Sequence, residues 1–341
     1  MNNSAGSTRS AYFDVIRGCA IIMVVAIHSS STGVQFLDHG VDDPNFMFTL
    51  VVRQVLICAV PVFVMLAGYF SPTARGDIDR EGTTWKRLVR ILVPYMVWSV
   101  VALVFAKASF GSGLLAIATG RALGPHYFIP AIVILIIFEF LVLRHIKHRW
   151  ILAVGLAVST LHILIAYVLH FAVPQLDWWY YMASPTAWLV YYSLGIFLRR
   201  SPPEIGLWPA VAAVAFILSV FEAYGLTLLL GVNSGAFEPI KLSTMLFSVS
   251  VCIVVVARRS ALIKSAFLSW LGIVSFGIFL AHELVRGRLS TLIFRQVPAL
   301  FEIQPAFQGA ILAATMVTIC VFAIACQRVL GTQRSKFWLG F

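Results

Sequence analysis

Tyr12-Phe-Asp-Val-Ile-Arg-Gly-Cys-Ala-Ile-Ile-Met-Val-Val-Ala-Ile-His28 is the stretch that decides the fold. Between Arg17 and His28 stand ten residues, Gly18 to Ile27, all apolar or small. Ten residues do not cross a bilayer, which takes about 20 in a helix. The membrane segment therefore runs over about 13–34, with Arg17 and His28 inside it. The eleven-residue step from Arg17 to His28 turns a helix by roughly 1100°, some 20° past three full turns, and advances it by roughly 16 Å. Both side chains point the same way. Ionisable groups at that depth are costly; they line a cavity or pathway, or else are buried in helix packing. Two on one face favour the cavity.

Composition extends this reading to the whole chain. Of 341 residues, 60% are hydrophobic and 11% charged, and the mean hydropathy is +0.92. Soluble domains carry about 25% charged residues, so this is an integral membrane protein. Apolar stretches at 13–34, 47–70, 88–106, 126–143, 150–172, 185–198, 207–230, 241–257, 266–285 and 306–327 give ten expected spans, of which 185–198 is short. The expected fold class is all-α: a polytopic membrane helix bundle of about ten transmembrane helices. It forms one domain over 1–341, with short tails near 1–11 and 328–341 and no soluble catalytic domain. The first apolar segment reads as a retained helix, because Arg17 and His28 interrupt it and no clean small-residue cleavage site follows. No internal repeat is visible.

The net charge of +11 is a topology signal and implies no nucleic-acid partner. With ten spans, 18 of the 25 Lys and Arg fall on the side of both termini, among them Arg9, Arg80, Arg87, Arg90, Lys264 and Lys336. The other side keeps seven: Arg53, Lys107, Arg121, Lys241, Arg286, Arg288 and Arg295. By the positive-inside rule both termini are cytoplasmic. Cys19, Cys58, Cys252, Cys320 and Cys326 lie in spans at no metal-ligand or redox spacing, and read as small buried hydrophobes. Trp178, Trp179, Tyr180 and Tyr181 read as an interfacial anchor.

Other residues that could carry chemistry are few. Asp14 stands three before Arg17, so an ion pair is available, and so is an anionic ligand for Arg17. Arg87 and Arg90, three apart at the mouth of the third span, are either positive-inside decoration or a phosphate fork. His126 and Tyr127 in Gly124-Pro-His-Tyr-Phe-Ile-Pro130 are interfacial anchors or line a cleft. In the ninth span His282 is a site candidate, whereas Glu283 can reach Arg286 on the next turn. Glu139 and Glu222 lie in spans with no assigned role. His145 and His148 sit among cations, a poor metal site, and no metal is expected. No Gly-x-Ser-x-Gly elbow, Walker loop, dinucleotide fingerprint or Cys/His cage is present, which removes support for hydrolase, nucleotide-motor and metal-enzyme readings.

Taken in order, these segments resemble the acyltransferase-3 family of multi-pass membrane acyltransferases. The resemblance rests on Phe13-Asp-Val-Ile-Arg-Gly18 with His28 and on Pro61-Val-Phe-Val-Met-Leu-Ala-Gly-Tyr-Phe70. It continues through Arg87-x-x-Arg90 with Pro94, Tyr191-Tyr-Ser-Leu-Gly195 and Leu271-Gly-Ile-Val-Ser-Phe-Gly-Ile-Phe-Leu-Ala-His282. It covers nearly the whole chain. One departure is Ala281-His-Glu-Leu284, where many members have an aromatic residue or Pro beside the His.

The resemblance implies transfer of an acyl group, commonly acetyl from acetyl-CoA as co-substrate, onto hydroxyls of cell-surface glycans. It points to the stand-alone members acting on surface glycans such as enterobacterial common antigen or exopolysaccharide. It implies a bacterial inner-membrane location, with acyl-CoA, a glycan or lipid-linked saccharide and the bilayer as partners. It makes Arg17 and His28 the essential pair and associates Arg87 and Arg90 with the acyl-CoA donor. His28 then serves as general base, or as carrier of an acyl-His intermediate. Arg17 positions CoA or stabilises developing charge. His282, His126, Tyr127, Glu283 and Asp14 are supporting candidates. The rival class is a secondary transporter with an intramembrane Arg/His/Glu path; a non-catalytic scaffold is the third.

Overall fold

The computed structural model describes residues 4–36, 43–76, 82–107, 109–173, 178–230, 235–261 and 265–341, with side-chain detail from Ala11 onward except over 31–42. Arg80 and Lys264, and the side chain of Arg9, therefore lie outside the described residues. Apolar segments that leave water must satisfy every backbone group internally, which a helix does alone. Accordingly, no strand occurs among the described residues. The helices are α1 (Ser4–Phe36), α2 (Pro44–Leu56), α3 (Ala59–Tyr69), α4 (Pro72–Arg75) and α5 (Gly82–Phe105). Then follow α6 (Phe110–Thr119), α7 (Phe128–Leu141), α8 (His148–Ala172), α9 (Trp179–Met182) and α10 (Pro185–Arg200). The last five are α11 (Trp208–Leu230), α12 (Leu242–Ala257), α13 (Ala266–Gln296), α14 (Gln304–Leu330) and α15 (Thr332–Leu339).

Among the described residues, eight helical segments are long and apolar enough to cross a membrane. They correspond to eight of the ten expected spans; α10 and α12, each of 16 residues, correspond to the other two. A 16-residue helix is about 24 Å long, short of the roughly 30 Å hydrocarbon core. Large apolar side chains face outward, such as Val168 on α8, Phe221 on α11 and Val317 and Val321 on α14. That is the surface lipid takes and water does not.

Several boundaries differ from expectation. The span over 47–70 is two helices, broken at Ile57-Cys58. The ninth span does not end at Leu284-Val285; α13 continues to Gln296 and carries Arg286, Arg288 and Arg295 on it. The tail near 328–341 is not loose: α14 reaches Leu330 and α15 follows, packed on α5 and α14. α6 lies between the expected spans 88–106 and 126–143 and corresponds to neither.

Two close helix pairs build the core. α1 packs most extensively on α13, because Gly18 and Gly272 let the backbones touch. A Cβ on Gly18 would stand 2.1 Å from Leu268 O, and one on Gly272 1.8 Å from Asp14 O. Small residues at such crossings are how membrane helices gain packing without a hydrophobic drive. The pair meets again at His28 and His282, so the two helices run parallel. Gly68 of α3 and Gly195 of α10 repeat the device, their Cβ positions falling 2.1 Å from Tyr192 O and 2.0 Å from Met65 O. Eleven of the 16 residues of α10 are buried, among α3, α7, α8 and α12. The span whose hydropathy is weakest is thus the innermost helix.

Candidate active site

The parallel α1–α13 pair brings His28 against His282 and Glu283. The two imidazole centroids are 5.0 Å apart, and His28 Nδ1 lies 4.0 Å from Glu283 Oε2. That is beyond hydrogen-bond reach, a distance one water or a small closure would bridge. His282 is fully buried. Its Nδ1 faces Phe279 O at 2.7 Å and Ile278 O at 3.2 Å. Only an N–H pairs with a carbonyl, so Nδ1 carries a proton. Nε2 has no hydrogen-bond partner. Glu283 is clamped by Arg286, Nε to Oε2 at 2.9 Å and Nη2 to Oε1 at 2.5 Å. His28, His282 and Glu283 each offer a ligand atom within 4.8 Å of the others. The guanidinium across both Glu283 oxygens opposes a metal cation there.

Neighbouring groups fix this cluster. His126 is fully buried; its Nε2 donates to Leu280 O at 3.1 Å and its Nδ1 faces Ser99 Oγ at 3.4 Å. It is therefore a strut between α5, the turn before α7, and the α13 backbone two residues from His282. Tyr127 turns away, its hydroxyl on Met182 Sδ at 3.8 Å. Arg53 of α2 is buried, with Nη1 donating to Ile27 O and Ser30 Oγ, each at 3.1 Å, and Nη2 to Phe237 O at 3.3 Å. It grips α1 at the residue before His28. The sequence offered only its charge inside 47–70; the partners come from folding.

At the other end of α1 lies a cavity of about 580 Å³, lined by Asp14, Arg17, Arg87 and Lys336 together with Phe63 and Phe70. Arg17 Nη1 donates to Asp14 Oδ1 at 3.0 Å, and its guanidinium lies 5.2 Å from the Phe70 ring centre. Arg87 Nη1 donates to Glu139 Oε2 and Tyr192 OH, both at 3.1 Å, and Nη2 donates to Ala67 O at 2.6 Å. Glu139, unassigned in the sequence, is this arginine's buried counter-ion, and it also accepts from Thr73 N and Tyr192 OH. Arg90 is exposed and does not line the cavity, so the Arg-x-x-Arg pair divides. Glu222 lies elsewhere, accepting from Tyr167 OH and capping α12 through Ser243.

A second cavity of about 150 Å³ shares Phe63, Ala67, Ile91, Ile132, Ser275 and Phe276 with the first. Its lining adds Val24, one helical turn before His28, and Phe279, whose ring centre is 6.0 Å from that of His282. Cationic cavity, apolar neck and imidazole cluster follow one another along α1.

Residues 10–326 match the Acyltransferase domain of the acyltransferase-3 family. The chain belongs to that family. It is a membrane acyltransferase, which sets the transporter reading aside. No curated protein and no solved structure matches this acyltransferase. Of the sequence candidates, the acyltransferase brings His28, His282 and Glu283 to one end and Asp14, Arg17 and Arg87 to the other. Sequence reasoning names Lys336, Arg53 and Glu139 but gives none of them a role at either end. Lys336 reads as part of a tail, and nothing in its neighbours signals that α15 folds back onto the cavity.

Proposed function

We infer that this acyltransferase moves an acyl group, acetyl from acetyl-CoA in the first instance, onto a hydroxyl of a cell-surface glycan or its lipid-linked precursor. One observation carries the reading. A cationic cavity adjoins a smaller apolar neck whose lining reaches Val24 and Phe279, beside the imidazole–carboxylate cluster, which suits a donor with an anionic head and a reactive far end. The positive-inside distribution supports a cytoplasmic position for the Arg17 cavity, and in the proposed bacterial inner membrane that is the side where acyl-CoA is available. Arg17 and Arg87 meet the phosphates of the donor, with Arg90 at the outer rim of that approach.

The thioester reaches through the neck to His28. A carboxylate opposite Nδ1 favours the tautomer with Nδ1 protonated, which leaves Nε2 as the base. Nε2 takes the proton of the sugar hydroxyl as its oxygen attacks the thioester carbonyl. The C–O bond forms, the C–S bond breaks, and the proton passes from His28 to the leaving sulfur, so CoA departs as the thiol. Glu283, held by Arg286, steadies the imidazolium, while His282 and His126 fix the wall behind it. Acylation of His28 itself is the variant route.

The test is reconstitution with labelled acetyl-CoA and candidate glycans. Label should pass to sugar with the native chain and not with His28→Ala. Undiminished transfer by a well-folded His28→Ala protein sinks the general-base assignment. Labelled protein trapped without acceptor would favour the acyl-His route.

A further inference from the structure

Gly331, at φ +78°, turns the chain between α14 and α15, and α15 folds back against α5. Its far end is anchored. Trp98 Nε1 donates to Leu339 O and Gly277 N to Gly340 O, each at 3.0 Å. Phe341 is buried over Gly277, where a Cβ would come within 2.5 Å of its ring. Gly340 N closes back onto Lys336 O at 3.2 Å. Lys336 thus stands one helical turn from an anchored backbone, at the wall of the cavity that holds Arg17 and Arg87.

The other two cations of this cavity already face acids. Arg17 pairs with Asp14 at 3.0 Å and Arg87 with Glu139 at 3.1 Å. Lys336 has no ion pair among the described residues. Lys336 is exposed at the cavity wall, so its ammonium is open to an incoming anion, a compact point charge with three donors on a flexible stem. Phosphate oxygens are the partners such a charge takes up.

We propose that Lys336 is a further phosphate-binding cation of this cavity, beside Arg17 and Arg87, and holds a phosphate group of the CoA donor, a role that rests on the cavity being the donor site. The packed end of α15 sets where the ammonium stands, so the segment after α14 is part of the donor site. A lipid headgroup presents the same chemistry, and the test separates the two sources.

The full chain in phosphatidylcholine nanodiscs is titrated with CoA, pantetheine and inorganic pyrophosphate, as native protein, Lys336→Ala and Lys336→Arg. Thermal unfolding checks that the variants fold. Lys336→Ala should weaken CoA and pyrophosphate about 10- to 100-fold, the worth of one charge-assisted hydrogen bond, and leave pantetheine unchanged. Lys336→Arg should restore most of the loss. In turnover, KM for acetyl-CoA should rise in step while kcat holds. Equal CoA affinity in native protein and Lys336→Ala overturns the proposal, as does native protein that binds neither CoA nor pyrophosphate. A Lys336 effect seen only when anionic lipid is added assigns the phosphate to a headgroup and overturns the donor role. Lys336-dependent CoA binding without any acetyl transfer leaves the phosphate site standing and sinks the acetyl-CoA reaction instead.

Discussion

The His28 side chain is 27% exposed while His282 is wholly buried, so a hydroxyl can reach the first imidazole and not the second. General-base loss costs on the order of 10²- to 10⁴-fold, and His28→Ala should lower kcat within that range. Glu283→Gln should cost about tenfold alone and nothing further in a His28→Ala background, because the carboxylate acts through the imidazole. Additive losses in the double variant would refute that coupling. Arg53 supports the same residue from behind. Arg53→Ala removes the guanidinium that ties Ile27 O and Ser30 Oγ of α1 to Phe237 O, and a misplacement of about 1 Å at His28 costs on the order of 100-fold. Arg53→Lys should not rescue, since one ammonium does not make the guanidinium's divergent contacts. Transfer assays on both variants, with thermal unfolding as the folding control, decide this. Residue spacing made Arg17 and His28 legible as one face. It did not make Glu283 legible as the neighbour of His28, because the step from α1 to α13 crosses more than 250 residues of chain.

Between elements, the glycine crossings hold the site's dimensions. α1 and α13 touch at Gly18 and Gly272, and the same two helices carry His28 and His282. Gly272→Ala places a methyl 1.8 Å from Asp14 O, and backbone there has no room to give. Overpacking of this kind costs about 1–3 kcal/mol. Gly272→Ala should therefore lower the unfolding temperature in detergent and reduce transfer, by parting the helices that hold His28 against His282. Gly225→Ala on α11 meets nothing within 4 Å and should match the native chain in both measurements. Equal behaviour of the two variants would show that the crossing does not set the site. Hydropathy made the long helices legible and undervalued α10, where Tyr191, Tyr192 and Ser193 dilute the apolar run. Those residues are polar because α10 touches protein on every side; Tyr192 serves Arg87 and Glu139. Composition cannot separate a helix sheathed by others from one that fails to cross.

Across the whole molecule, the order of cavity, neck and imidazole cluster restricts what can be transferred. Among the described residues lining the neck, Ser275 is the one polar side chain, and its hydroxyl is taken up by Gly272 O at 2.9 Å. The neck holds about 150 Å³, and an apolar cavity of about that volume accepts benzene. Acyl groups of up to about four carbons fit through that space ahead of the thioester. Succinyl adds a carboxylate, whose desolvation without a partner costs several kcal/mol, more than the about 2.7 kcal/mol that makes a 100-fold difference. Acetyl-, propionyl- and butyryl-CoA should therefore be used within about tenfold of one another, and succinyl-CoA at least about 100-fold less well. Val60→Phe, which fills the neck from α3, should lose butyryl transfer before acetyl transfer. Paired labelled donors in one competition assay read these ratios directly. Succinyl transfer equal to acetyl would mean that the acyl group does not pass the neck, and that the route from the Arg17 cavity to His28 lies elsewhere.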